Sequence, residues 1–432
     1  MFLPLFLSIG VSGVFATPPS IFERALNASL QTNLPAQAVL VDPKSFAVLG
    51  PNGPFRNSSF SQLFNPTSTA PPFFQIFDPA FLDILGPNAS FNIISTNKSD
   101  SILFYSHEAP VYLRDTDELF FAGLDLSKDV VNKISMKAVE NALEETSGTV
   151  VNVPATPITL PSSVQHVNGG TGPLGSSLVL VTDGFGSLPP SVVLVNPQAP
   201  YNATVLLDNF YGRQFNSMND VKIHPTSKAI FFTDVSIGNI ITIRPPPLMP
   251  NQVYRLDPNT RAVQVVATDF DLCNGIAFSA DGKYAYVYVY PSRCPQFRRS
   301  SLQTAFHLHF IKFSTDSGAV TSISDVDQTR PATIYQFDVS PTSQIFTNRR
   351  IFAYADTGVP DGITLDAAGN VYAGCGDGVH IWSPTGALLG KFFTGDVVAN
   401  MQFAGDGRLV LLGGANVYMA RIAAREGSVA FP

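Results

Sequence analysis

The feature that most limits how this chain can fold is a polar residue set directly before a short apolar strand, which recurs six times. The copies are EAPVYLRDTDELFFAG from Glu108, NGGTGPLGSSLVLVTDG from Asn168, NDVKIHPTSKAIFFTD from Asn219, NGIAFSADGKYAYV from Asn274, DGITLDAAGNVYAGC from Asp361 and NMQFAGDGRLVLLGG from Asn400. In each copy a polar or glycine-containing turn follows about seven residues on, and a second apolar strand follows the turn. The spacings are 60, 51, 55, 87 and 39 residues, near the length of a four-stranded propeller blade apart from one enlarged interval. A β-propeller of six blades is therefore the expected fold, with a pair of β-sandwiches as the alternative. A helical repeat is excluded, because a sustained 3.6-residue period is absent outside Val130 to Glu145, where strand and helix patterns compete.

The short last interval implies that an N-terminal strand completes the final blade and removes an exposed sheet edge. KSFAVLGPNGPF, from Lys44, is the candidate for that closure. The long interval holds a basic, polar stretch from Arg293 to Gln303, and an insertion is expected over residues 293–350. The expected organisation is a signal peptide at 1–16, an N-terminal extension at 17–43 and the propeller at 44–432.

Composition agrees with a large all-β domain. Hydrophobic residues make up 45% of the 432, with 34 Phe, while only 14% are charged; such a chain can bury a core and is not a disordered one. Thirty-two Gly and 34 Pro supply the many turns. A net charge of −7 gives no basis for binding nucleic acid or an anionic membrane.

The first sixteen residues, MFLPLFLSIGVSGVFA, carry no charged side chain and end on small residues, the pattern of a secretory leader cleaved near Ala16. Five N-x-[ST] sequons, at Asn27, Asn57, Asn88, Asn97 and Asn202, agree with export and glycosylation. No membrane attachment is expected after cleavage. Three cysteines allow one bridge at most; Cys273 and Cys294 bracket a hairpin and are the preferred pair.

In a propeller the innermost strands line one central channel, so the opening residues of the repeats converge. Glu108, Asn168, Asn219, Asn274, Asp361 and Asn400 then form a ring of oxygen donors with two carboxylates. A hard divalent cation, above all Ca²⁺, takes six to eight such ligands. Taken singly, Asn274-Gly275 and Asp361-Gly362 read as turn formers. Their repeated placement before an apolar strand favours a site for the set. Glu108 has no turn role in SHEAPVY, whereas Asn168 and Asn400 read better as supporting residues.

The segments FYSHEAPVY, FNSMNDVKIHP, CNGIAFSADGKYAYV and VPDGITLDAAGNVYAGCGDGVHIW resemble the gluconolactonase and regucalcin superfamily, and more narrowly its secreted fungal lactonohydrolases. The resemblance runs from about residue 44 to the end. It implies a six-bladed propeller, a catalytic Ca²⁺, and hydrolysis of aldonate or pantoyl-type lactones. The metal ligands that it implies are Glu108, Asn219, Asn274 and Asp361. Cys273 and Met218 each stand where the superfamily commonly has proline, a difference that bears on substrate preference.

Ca²⁺ in that position would polarise the lactone carbonyl while a base activates water. Asp361 is the first candidate for the base. His107 is the second, although a regular strand would point it away from the channel. His166, just ahead of Asn168, is similarly placed. Arg213, Asn216 and Asn168 are candidate contacts for a small-molecule lactone, with a packing or turn role equally open for the first two. Two other readings use the same scaffold: a propeller that binds without catalysis around a Ca²⁺ plug, and an aryl-ester or phosphotriester hydrolase. The oxygen ring disfavours a strictosidine-synthase-like condensation, and no G-x-S-x-G, HExxH, P-loop or GxGxxG is present.

Overall fold

The computed structural model describes residues 34–97, 103–125, 130–146, 148–290 and 332–427. The leader, Asn27 and Cys294 lie outside them.

Every copy of the repeat forms the first hairpin of one antiparallel sheet. Blade 1 runs through Phe104–Leu113, Glu118–Leu124, Val131–Ser135 and Thr156–Ile158; blade 2 through Val167–Leu174, Ser177–Thr182, Val192–Val195 and Ala203–Leu207. Blade 3 comprises Met218–Ile223, Ile230–Asp234, Gln252–Leu256 and Val263–Ala267; blade 4 comprises Leu272–Phe278, Tyr284–Tyr290, Thr333–Val339 and Phe346–Tyr354. Ile363–Leu365, Val371–Cys375, Gly378–Trp382 and Leu388–Phe393 build blade 5. Blade 6 has Asn400–Phe403, Arg408–Gly413 and Asn416–Arg421. Each innermost strand packs on the next, and that of blade 6 packs on that of blade 1. The ring closes, and the fold is a six-bladed β-propeller.

Side-chain alternation explains why the strands are apolar on both faces. In Ile230–Asp234, Phe231 enters the cluster between blades 3 and 4, while Ile230 and Phe232 enter the one between blades 2 and 3. In Ser177–Thr182, Leu178 and Leu180 face blade 1 whereas Val179 and Val181 face blade 3. Strands buried on both faces read as continuous apolar runs. Among the described residues there are six such clusters, one per blade interface. Each fully buried Phe contributes roughly 1.5–3 kcal/mol of transfer free energy.

The closing strand of blade 6 is Ser90–Thr96, antiparallel to Asn416–Arg421, and not the segment from Lys44. Lys44–Ala47 is a single helical turn, and Phe46 and Val48 are exposed. Ser90–Thr96 wins because Phe91 fills the cluster between blades 5 and 6 while Ile94 fills that between blades 6 and 1. Two further N-terminal strands enlarge blade 5: Phe73–Ile76 pairs antiparallel with Leu388–Phe393, and Ala38–Leu40 runs parallel beside it. The extension expected to end at residue 43 thus contributes Ala38–Leu40 to a blade.

The ambiguous stretch from Val130 is both elements in turn. Strand Val131–Ser135 leads into helix Met136–Glu144, whose first turn is capped by Ser135 Oγ accepting from the Ala138 amide at 3.2 Å. In the long interval, residues after 332 supply the outer two strands of blade 4, which the expected insertion had included; 291–331 lie outside the described residues. Asn57, Asn88 and Asn202 are exposed and Asn97 is half-buried. Cys273 and Cys375 are buried and form no disulfide among the described residues; Cys294, the expected partner of Cys273, lies outside them.

Candidate metal and catalytic centre

Strand register is broken at the opening residue in four of the six blades. Pairing slips on both sides of Glu108, between Val167 and Gly169 around Asn168, between Met218 and Val221 around Asn219, and between Cys273 and Ile276 around Asn274. Bulges of this kind re-aim side chains. Ala109, next to Glu108, takes a left-handed φ of 53° to complete the first. Asp361 lies just ahead of its strand, and its amide donates to Gly374 O at 2.8 Å.

The glycines of the NG and DG pairs let the blades approach. A Cβ on Gly275 would stand 2.2 Å from Asp361 O, and one on Gly362 would stand 2.3 Å from the Asn400 amide. Gly275→Ala is therefore expected to lower stability by about 1–3 kcal/mol, as overpacking does, and to displace Asp361. Thermal unfolding checks this; a variant as stable as the parent contradicts the close approach.

Ligand atoms of His107, Glu108 and Asp361 all lie within 4.8 Å of one another. Glu108, Asn219 and Asn274 are buried. The side chain of Asn274 bonds to the Asp361 carboxylate, and Asn400 Nδ2 donates to Glu108 Oε2 at 2.7 Å. Asn400 therefore orients a carboxylate, in keeping with a supporting role. Burial, followed by the charge of Asp361, raises the pKa of Glu108 well above the carboxylate range. Burial, followed by the charge of Asp220, pushes Asp361 up to about 7. Asp361 Oδ1 is buried without a hydrogen-bond partner.

Two carboxylates crowded in this way, one with an orphaned oxygen, form a donor set that a hard divalent cation would satisfy. Glu108, Asn274 and Asp361 fit such an ion in chemistry and in placement, and Asn219, buried in the bulge of the adjacent blade 3, fits it in chemistry.

His107 departs from the expected orientation. A regular strand would send it away from Glu108, but the register break brings Nδ1 to 3.9 Å from Glu108 Oε1, with the ring stacked on Phe104. Burial lowers its pKa to about 4, so it is neutral at pH 7. Beside it lies a small cavity lined by Asp125, His166, Asn168 and Asp183. His166 stacks on Phe185. Asn168 Nδ2 donates to Asp183 Oδ1 at 3.3 Å, Ser217 Oγ bonds to the same oxygen, and burial pushes Asp183 up to about 7.

The other two candidate substrate contacts are not brought into this cluster. Asn216 is committed to backbone: Nδ2 donates to Met249 O at 2.8 Å, and Oδ1 accepts from the Leu248 and Met249 amides. Arg213 is exposed on a separate two-stranded hairpin with Asn209–Phe210. Sequence reasoning missed Asp220, whose Oδ2 accepts from the Ile276 amide at 3.0 Å and whose charge bears on both Glu108 and Asp361. Its signal was the acid beside Asn219, set one place past the repeat's opening position.

Residues 107–294 and 311–412 match the SMP-30/gluconolactonase/LRE-like region. The lactonohydrolase oryH of Aspergillus oryzae is 26% identical over 399 residues, covering 79% of this chain and 78% of the relative. A gluconolactonase of Zymomonas mobilis is 25% identical, covering 78% and 82%. Among solved structures, a gluconolactonase from Xanthomonas campestris superposes with a TM-score of 0.58 at 22% identity, over 83% of this chain and 99% of its own. A calcium-binding regucalcin from Agrobacterium tumefaciens gives 0.50 at 13% identity, over 76% and 93%. The structural likenesses concern the fold, whereas the sequence match takes in all six inner strands and the carboxylate cluster. The chain belongs to the SMP-30/gluconolactonase/LRE-like family.

Proposed function

We propose that this protein is a Ca²⁺-dependent lactone hydrolase, exported from the cell, that opens aldonate or pantoyl-type 1,4-lactones. The observation that carries the reading is the meeting of Glu108, Asp361 and His107 within 4.8 Å, with Asp361 Oδ1 left unpartnered. Lactonohydrolase and gluconolactonase relatives support lactone hydrolysis, and the regucalcin neighbour supports calcium.

Glu108, Asn219, Asn274 and Asp361 would hold the cation, which when bound supplies a Lewis acid for the acyl carbonyl. Asp361 is the group suited to take a proton from the attacking water, since its buried Oδ1 has no hydrogen-bond partner and lies in the cluster with Glu108 and His107. Water adds to the acyl carbon, the ring C–O bond breaks, and the departing oxygen takes up a proton, leaving a hydroxy acid. His107, neutral, would offer a hydrogen-bond acceptor at the edge of the site. Asn168, His166 and Asp183 present polar groups to the hydroxyls of a sugar-derived ring. The leader and the sequons at Asn27, Asn57, Asn88, Asn97 and Asn202 are the basis for a secreted glycoprotein.

Turnover of a panel of 1,4-lactones and aryl esters tests the reading. Lactone opening is expected to vanish after chelation and return with added Ca²⁺. Undiminished turnover by chelated, dialysed protein overturns the calcium requirement.

Stability carries an independent signature. Asp361 moves from an ordinary 3.8 to about 7 on folding, so the folded state binds more protons than the unfolded chain between those values. Stability then falls as pH rises through that window. Cation binding offsets the loss, because it favours the ionised carboxylates. The melting temperature of chelated protein is expected to drop between pH 5 and pH 8, and the gap to Ca²⁺-loaded protein to widen. A gap that does not vary with pH contradicts carboxylate ligation.

A further inference from the structure

Three buried carboxylates meet at the channel, but a single divalent cation balances only two. Glu108 and Asp361 are the proposed ligands, and the third is Asp220, next to the proposed ligand Asn219 in the same bulge. Asp220 is fixed rather than free to swing. Oδ2 accepts from the Ile276 amide of blade 4 at 3.0 Å, and Oδ1 accepts from the Val221 amide at 2.8 Å. Thr233 Oγ1 accepts from the Asp220 amide and donates to Asn274 O, tying the two bulges together.

The counter-charge is Lys222. Its Nζ lies 3.2 Å from Asp220 Oδ1, and its side chain is about four-fifths buried. Lys222 also lines a cavity of about 440 Å³ at the far end of the inner strands, away from the small cavity beside His107. Of the other ionic groups of that far cavity, Arg114 pairs with Glu426, Asp366 accepts from Asn370 and Tyr372, and Asp115 is exposed to solvent. The Lys222 ammonium therefore stands between the far cavity and the buried carboxylates.

We propose that Lys222 is a built-in cation that takes the place of a second metal ion on Asp220, so that the site holds one divalent ion and not two. With Lys222 present, the three carboxylates, the ammonium and one Ca²⁺ sum to zero charge. Without it, one negative charge remains on Asp220 beside a route to solvent. The proposal rests on the cation-holding reading above and assigns Lys222 as a positioning residue acting through Asp220.

The test is Ca²⁺ stoichiometry, read by calorimetric titration and by elemental analysis of desalted protein. Wild-type protein is expected to bind one equivalent and Lys222→Met two. Lys222→Arg and the double variant Lys222→Met/Asp220→Asn are expected to bind one. Asp220→Asn alone leaves an unbalanced ammonium near the ion and weakens Ca²⁺ binding by about tenfold or more. Damage to packing would lower affinity in Lys222→Met and would not add an equivalent. One equivalent in both wild type and Lys222→Met overturns the proposal, as does unchanged affinity in Asp220→Asn if Lys222→Met fails to fold. A wild-type protein that binds no divalent ion overturns the underlying site as well.

Discussion

Replacement of Asp361 by asparagine is expected to lower kcat/KM for a 1,4-lactone by about 10³-fold, within the span assigned to a lost general base, while leaving the fold intact. The change is nearly isosteric, and the packing at this position is main-chain: the Asp361 amide donates to Gly374 O, and the Gly275 Cα approaches the Asp361 carbonyl. What disappears is one of two carboxylates crowded with His107. The same substitution removes a buried negative charge next to Glu108, so chelated Asp361→Asn protein is expected to melt higher than chelated wild type. Loss of activity with a gain in metal-free stability is a combination that general unfolding cannot produce. Retention of a tenth or more of the activity would remove Asp361 from the chemistry.

The second large effect lies outside the channel. Lys391, fully buried on the fourth strand of blade 5, holds Asp356 at 2.6 Å and Asp377 at 2.9 Å, and His380 Nε2 lies 2.6 Å from Asp377. Burial works against ionising Asp377, but Lys391 and then His380 outweigh it and keep its pKa below the ordinary value. Arg56, from the N-terminal segment, reaches the same Asp356 at 3.0 Å. Lys391→Met leaves the fully buried Asp377 with His380 as its remaining ionic partner, while Asp356 is partly exposed and keeps Arg56; the change is expected to cost about 3–5 kcal/mol. Because Lys391 pairs with Gln75 across the added strand, the N-terminal strands loosen first. Urea unfolding measures the loss, and protease cleavage ahead of residue 77 localises it. Lys391→Met/Asp377→Asn is expected to recover a large part. An unchanged urea midpoint would show that the network contributes nothing.

The propeller was legible because its repeat is local: an acid or amide, a strand, a turn and a strand lie within one contiguous stretch. The proposed ligands were legible for the same reason, since Glu108, Asn219, Asn274 and Asp361 each open a copy. What escaped depends on partners distant in sequence. KSFAVLG and SFNIIST are both apolar and extended in pattern, and only the spaces between blades 5, 6 and 1 distinguish them. The approach of His107 to Glu108 depends on a slip against the neighbouring strand. Lys391 looks like a surface lysine until Asp356, Asp377, His380 and Arg56 converge on it. Asn216 looked available because its backbone partners lie more than thirty residues on.

The stitching of the amino-terminal region into blades 5 and 6 also sets a schedule for biogenesis. Phe73 pairs with Phe393 and Thr96 with Asn416, so neither segment completes its pairing before the last two blades, although Ile93 also meets Val150 in a parallel bridge. Blades 1 to 4 consist of hairpins joined in order and can assemble as the chain emerges. Pairing across so long a separation carries a large loop-closure cost and is slow. Meanwhile the edge of FNIIST that Asn416–Arg421 will cover stays open, and an open apolar edge is prone to aggregate. A circular permutant opened near residue 100 would shorten the separation between Ser90–Thr96 and Asn416–Arg421, and should refold faster than the natural order.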